Sequence, residues 1–318
     1  MRRGLLIALL AALLTACGSS GGSQRLRPAT LVLDFTPNAV HAGIYAALAH
    51  KYDRAAGVRL HVVAPTASTD SVKLLETGRA SFAILDIHDL AIARARGADL
   101  VGIMAIVERP LAALIAAPRF PTPTTLSGRP VGVTGLPSDT AVLDSIVQGA
   151  GGNPRKLKPV TIGFDAVPDL LTRRVDAATA FWNDEGVTIQ RRSPGFHVFR
   201  VDAYGAPAYP ELVLCTSGRL LNRQPALARG LVHALVQGYR FTLAHPARTA
   251  SELESQVQGL DPALVTAELR GLLPAFRARD GGVGTLEPAV LRAWASWEVR
   301  FGIVKRPIDV GRMFATLS

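Results

Sequence analysis

The chain has 318 residues, 48% of them hydrophobic and 19% charged, which is enough length and apolar content for large cores without disulfide support. Lys and Arg number 35 against 25 Asp and Glu, a formal charge of +10. The arginines stand singly or in pairs, with no long basic run and no interleaved aromatics, and this excludes a nucleic-acid surface. Of the two cysteines, one lies in the N-terminal segment, so Cys215 is alone in the body of the chain and no intramolecular disulfide forms there.

The chain opens "MRRGLLIALLAALLTAC". Two arginines, an apolar run too short to span a bilayer and a small-residue cleavage site read as a signal peptide over residues 1–16. Cys17 at the cleavage point, with Leu14 three residues before it, resembles the lipobox of bacterial lipoproteins. That resemblance implies lipidation of Cys17 and a mature protein anchored to the membrane on its extracytoplasmic face. Residues 17–28, beginning "CGSSGGSQ", form the flexible tether. Without Arg2 and Arg3 the 35 basic residues fall to 33 against 25 acidic, a formal +8 that suits a cationic surface near anionic lipid.

Beyond the tether, strand and helix patterns alternate. The strand "TLVLDF" is followed by the helix "AVHAGIYAALAHKYDRA", the strand "VRLHVVAP", the helix "TDSVKLLETG", the strand "SFAILD", the helix "IHDLAIARARG" and the strand "LVGIMAIVE". After the break "PRFPTPTTLSGRP" a second round begins. It comprises "VGVTG", the helix "SDTAVLDSIVQGAGG", the strand "LKPVTIG", the helix "AVPDLLTRR", the strand "VDAATAFW", the helix "NDEGVTIQRR" and the strand "FHVFRV". From "YGAPAYPELVLCTS" onward the pattern is mostly helical. A long helix is expected over residues 225–244, and Trp294 and Trp297 form a packing stripe in a later one.

Such alternation predicts right-handed crossovers and mainly parallel sheets. Two rounds predict an α/β, two-lobed fold, each lobe a mainly parallel sheet flanked by helices, joined by two hinge crossings near residues 111–117 and 209–216. Lobe 1 is expected to comprise residues 29–115 and 213–318, and lobe 2 residues 116–212. Two short crossings suit closure around a ligand, and ligands of open α/β sheets sit beyond the carboxyl ends of the strands. The candidate residues are therefore those that follow each strand.

After the first strand come Asp34, Phe35, Asn38 and His41. Asn38 can cap the following helix. An acid at the end of a buried strand is costly unless donors meet it, and ligand N–H groups can be those donors. Tyr45 lies one helical turn beyond His41 on the same side, facing either the core or the cleft. The third strand ends at Asp86, which can serve as a helix cap or a cleft residue, and the fourth is followed by Arg109, beside Glu108. Ser138 starts a helix whose N-terminus would attract an anion, yet Asp139 in its first turn would repel one. "AFWNDEG" brings Trp182 and Glu185 to the outlet of a buried strand, where a first-turn acid also suits the helix dipole, and Tyr209 lies near the second crossing. The inventory is flat faces and carboxylates with few clustered cations, which suits a small nitrogen-rich aromatic that donates hydrogen bonds. Cys215 reads as a buried small hydrophobe. The seven histidines are scattered without a ligand-spaced pair, so no metal is expected.

The segments "LDFTPNAVHAGIYAALA", "GRASFAI", "DLAIARARG", "PLAALIA", "FWNDEG", "YGAPAYPELVL" and "WASWEVRFGIVKRPID" resemble, in order, the thiamine-pyrimidine-precursor branch of ABC-transporter substrate-binding proteins. The resemblance implies a type II periplasmic-binding fold, a monomer, and delivery of ligand to a membrane permease driven by an ATPase. It places Asp34, Asn38, Trp182, Glu185 and Tyr209 at positions that line or shape the pocket in that branch. Phe35 stands where Trp is usual, and Asp86 adds an acid where an aromatic or neutral residue is common. Fungal thiamine-pyrimidine synthases share the fold, and His88 falls near their reactive histidine. Ile84, however, stands at the place of the lysine that holds their pyridoxal phosphate, and their cysteine-rich iron motif is absent. No catalytic residue and no cofactor are expected. The alternative cargo is an alkanesulfonate, nitrate or similar anion held at the helix that begins at Ser138; a riboflavin-like solute stays open.

Overall fold

A computed structural model describes residues 26–317 apart from 68 and 137. The expected signal peptide and Cys17 lie outside the described residues. Among the described residues, ten strands form two five-stranded sheets. In chain order they are β1 (Arg27–Val32), β2 (Val58–Val63), β3 (Phe82–Asp86), β4 (Leu100–Ala105), β5 (Ala112–Ala116), β6 (Pro130–Val133), β7 (Lys158–Thr161), β8 (Ala177–Phe181), β9 (His197–Arg200) and β10 (Leu212–Ser217).

The first sheet has the order β2-β1-β3-β10-β4 and the second β7-β6-β8-β5-β9. Within each, the strands joined by helices pair in parallel, β1 with β2 and β3, and β6 with β7 and β8. The one antiparallel member of each sheet is the strand that follows a crossing. β10 runs against β3 and β4, and β5 runs against β8 and β9. A chain that has just changed lobes enters the new sheet from the opposite end, so its direction reverses. The expected boundary at residues 115 and 116 therefore falls inside β5, whose ladder bonds all go to the second sheet. The apolar runs expected to be the crossings are themselves these strands, and the linking segments, residues 106–111 and 201–211, precede them.

The helix expected over residues 39–55 is broken into a 3-10 turn (Ala39–His41), a helix (Ala42–Ala49) and a short helix (Tyr52–Ala55). Lys51 between the last two adopts φ 57°, a left-handed conformation that a continuous helix forbids. The middle helix lies against the long helix Pro225–Ala244 at unusually close range. A Cβ on Gly238 would sit 2.0 Å from the Gly43 carbonyl oxygen, and one on Gly43 would sit 2.3 Å from the Tyr239 ring. Only glycine permits that approach. Tyr239 then donates its hydroxyl to the Val40 carbonyl at 2.8 Å, which pins the segment carrying Asn38 and His41. Trp294, Trp297 and Cys215 are buried, as the apolar patterning requires.

Candidate functional site

The carboxyl ends of both sheets' parallel strands face a common cavity of about 110 Å³ between the lobes. Asp34 and Phe35 follow β1, Asp86 ends β3, and Asp89 lies one helical turn further on. From the second sheet come Thr134 after β6, Phe164 after β7, and Phe181 with Glu185 after β8. Ser138 and Asp139 begin the helix Asp139–Gly149 on that side.

Five carboxyl groups line this cavity, and no Lys, Arg or His does so among the described residues. Each acid is fixed by a protein donor. His41 accepts the Asn38 backbone N–H on Nδ1 at 3.2 Å, so its proton is on Nε2, which donates to Asp34 Oδ1 at 2.9 Å. Glu185 Oε2 accepts the Phe181 N–H at 3.0 Å, and Asp86 Oδ1 accepts the His88 N–H at 2.7 Å. Asp89 accepts the Ser138 hydroxyl at 3.0 Å, a bond that joins the two lobes. A carboxylate has about four acceptor positions, so fixed orientation leaves spare lone pairs. Desolvation comes first in raising Glu185 to about 8, with the neighbouring Asp184 charge next, and burial likewise lifts Asp89 to about 6. Acids held this reluctantly in ionised form gain from any cation or N–H donor placed among them.

Asp139 occupies the expected anion site. Its carboxylate accepts the Thr134 hydroxyl, the Gly135 N–H at 2.7 Å and the Leu136 N–H at 2.9 Å. The backbone donors that an oxyanion would need there are thus occupied by the protein's own carboxylate, and Ser138 is committed to Asp89.

Two further contacts close the lobes over the cavity. Phe35 and Phe164 meet edge to face with centroids 4.4 Å apart. Asn38 caps the 3-10 turn by accepting the Val40 N–H, and its Nδ2 donates to Asp184 Oδ2 at 2.7 Å. Asp184 neighbours Glu268 of the helix Pro262–Leu272, whose Oε2 accepts the Ala39 N–H at 3.3 Å. Desolvation and the Asp184 charge raise Glu268 to about 8, and desolvation raises Asp184 to about 6. Burial and their mutual repulsion therefore favour a protonated carboxyl in this pair.

Of the eleven expected site residues, Asp34, Phe35, Asp86, Ser138 and Glu185 line the cavity. Asn38 and His41 stand behind it, holding Asp184 and Asp34. Four lie elsewhere. Tyr45 is in the core and Arg109 is exposed on the first crossing. Trp182 donates its indole N–H to the Pro110 carbonyl at 3.0 Å under the Arg200 guanidinium, because it follows Phe181 and projects the other way. Tyr209 is fully buried, with its hydroxyl 3.1 Å from His88 Nε2. Phe164, Asp89 and Asp139 were not among the expected site residues, although Phe164 follows a strand and could have been found by the same rule.

Behind Asp86 lies a second acidic group, wholly enclosed. Glu211, at the end of the second crossing, accepts the Leu111 and Ala112 N–H groups of the first crossing at 2.6 and 2.8 Å, which ties the two crossings together. Its Oε1 lies 3.7 Å from His88 Nε2, and His88 Nδ1 meets Glu298. Burial would pull His88 down, but Glu298, Asp86 and Glu211 outweigh it and hold the imidazole at about 10. The expectation of no metal-ligating constellation therefore needs correction. Donor atoms of Asp86, His88 and Glu211 lie within 4.8 Å of one another. Counting spacings between histidines could not reveal a group with one histidine and two acids, one of them over a hundred residues away.

Residues 38–249 match the family model described as NMT1/THI5 like. The formylaminopyrimidine-binding protein of Halalkalibacterium halodurans is 26% identical over 99% of this chain and 97% of its own length. The riboflavin-binding protein RibY of Chloroflexus aurantiacus is 23% identical over 94% and 88%. Among solved structures, the alkanesulfonate-binding protein SsuA of Xanthomonas axonopodis pv. citri, bound to MOPS, superposes with a TM-score of 0.73 at 16% identity, covering 91% of this chain and 98% of that one. The last likeness establishes the two-lobed fold.

Proposed function

The chain belongs to the NMT1/THI5-like family, and from that premise we propose that it captures a small nitrogen-rich heteroaromatic solute outside the cytoplasm and delivers it to an ATP-driven membrane importer. A pyrimidine precursor of thiamine, or a relative of it, is the cargo class. The observation that carries this reading is the cavity's composition: five carboxyl groups, three phenylalanine faces and no cationic side chain among its lining residues. Amidine-like N–H groups on a flat ring fit such walls, with charged hydrogen bonds of about 1.5–3 kcal/mol each and ring contacts of about 0.5–1.5 kcal/mol. Sulfonate or nitrate would meet like charge, with the N–H donors of Gly135 and Leu136 already taken.

The similarity to a formylaminopyrimidine-binding protein over nearly the whole length of both chains supports the same class. Binding without catalysis is supported by Ile84, an apolar wall residue at the place matched to the synthases' lysine. In this reading the chain works as a monomer, anchored through a lipid on Cys17. Lobe 1 is formed by the first sheet with the C-terminal helices and lobe 2 by the second sheet, and the segments tied by Glu211 are the hinge. Thermal-shift screening of aminopyrimidines, flavins and sulfonates tests it, since a ligand that binds only the folded state raises Tm. Stabilisation by aminopyrimidines alone is the expected result, and stabilisation by sulfonates alone overturns the reading.

A further inference from the structure

We propose that Asp86, His88 and Glu211 form a binding site for one divalent transition-metal ion between the cavity and the hinge. The donors are one imidazole nitrogen and two carboxylates, a set suited to Zn²⁺, Mn²⁺ or Co²⁺ rather than to soft or purely oxygen-bound ions. Three observations carry the assignment together.

The first is an unsatisfied atom. Glu211 is fully buried, its Oε2 is fixed by two backbone N–H groups, and its Oε1 has no hydrogen-bond partner. That Oε1 faces His88 Nε2 at 3.7 Å. Two ligands on bonds of about 2.1 Å in tetrahedral array stand about 3.4 Å apart, so a small contraction seats an ion between them. The second is the backing of the histidine. Metal-bound imidazoles commonly give their other N–H to a carboxylate, which fixes the ring and strengthens the donor; Glu298 meets His88 Nδ1 in that manner. The third is charge and access. Three carboxylates, Asp86, Glu211 and Glu298, surround a single imidazole in a buried space, and a dication balances them better than the imidazole alone. Asp86 also lines the cavity, which provides the entry path. The Tyr209 hydroxyl, 3.1 Å from His88 Nε2, must turn aside or become a fourth ligand.

The test is calorimetric titration of chelator-stripped protein with Zn²⁺, together with the visible spectrum of the Co²⁺ form. One equivalent is expected to bind, with Co²⁺ giving the absorption of a low-symmetry site with nitrogen and oxygen ligands. H88Q and D86N, each first shown to keep a cooperative thermal transition, are expected to weaken Zn²⁺ binding about ten-fold or more, and E298Q to weaken it about ten-fold through the lost support. D86N, at the cavity edge, keeps the test decisive should H88Q fail to fold. Absence of Zn²⁺ binding in the stripped protein, or binding that neither substitution changes, overturns the proposal.

Discussion

The cavity and the buried cluster at the crossings are built from the same kinds of side chain and put them to different use. In the cavity, Asp34, Asp86, Asp89, Asp139 and Glu185 are each oriented by fixed donors while their carboxylates border open space. Beside the crossings, Glu211 and Glu298 close on His88 from two sides beneath the rings of Trp294 and Trp297. An oriented acid beside a void is an acceptor in waiting. An acid packed against partners from distant segments is also a structural tie, and its removal is felt by everything it joins.

The comparison is broken most directly at Glu211. E211A leaves the Leu111 and Ala112 N–H groups buried without an acceptor and removes a counter-charge from His88. Breaking a buried charged network from one side costs about 3–5 kcal/mol, and chemical denaturation is expected to show a loss of that size. The cavity gives the contrasting result. E185A is expected to weaken aminopyrimidine binding about ten-fold or more, about 1.4 kcal/mol, in calorimetry, while the cooperative unfolding transition persists. Unchanged affinity would remove Glu185 from the ligand's surroundings.

The cross-cleft pair sharpens the comparison with the smallest expected effect. Glu268 and Asp184 face each other with Asp34, His41 and Glu185 nearby. Folding raises Glu268 from 4.5 to about 8, so in this range the native state holds a proton that the unfolded chain has lost. The associated stability is present in full below the unfolded value and disappears as pH rises through about 8. Tm is expected to fall between about pH 4.5 and pH 8, and E268Q, which cannot ionise, is expected to flatten that fall. An identical slope in E268Q would show that Glu268 has no part in it.

Much of this architecture is written locally. Alternating strand and helix periods predict both sheets, and the rule that function gathers beyond strand ends finds Asp34, Phe35, Asp86, Ser138 and Glu185. Direction is not local to the same degree. Trp182 and Phe181 are neighbours at one strand end, yet only Phe181 reaches the cavity, because successive strand residues point to opposite faces. Tyr209 was drawn to His88, a residue 121 positions away, and Glu268 to the N-terminal turn 229 positions away. Such pairings depend on how the lobes meet, and no window of sequence contains both partners. Strand direction after each crossing is likewise a property of the return path, which is why the expected boundary at residues 115 and 116 falls inside β5.

The placement of β10 also dictates an order of events. It lies between β3 and β4 in the first sheet, yet it emerges only after the whole second sheet has been laid down. Until residue 217 has appeared, β3 and β4 have no common neighbour, and each presents a bare backbone edge of the kind that invites aggregation. A chain made from its N-terminus must therefore carry an unfinished first half while the second half completes itself. Truncation between β9 and β10 would yield one finished sheet joined to two loose parts of the other.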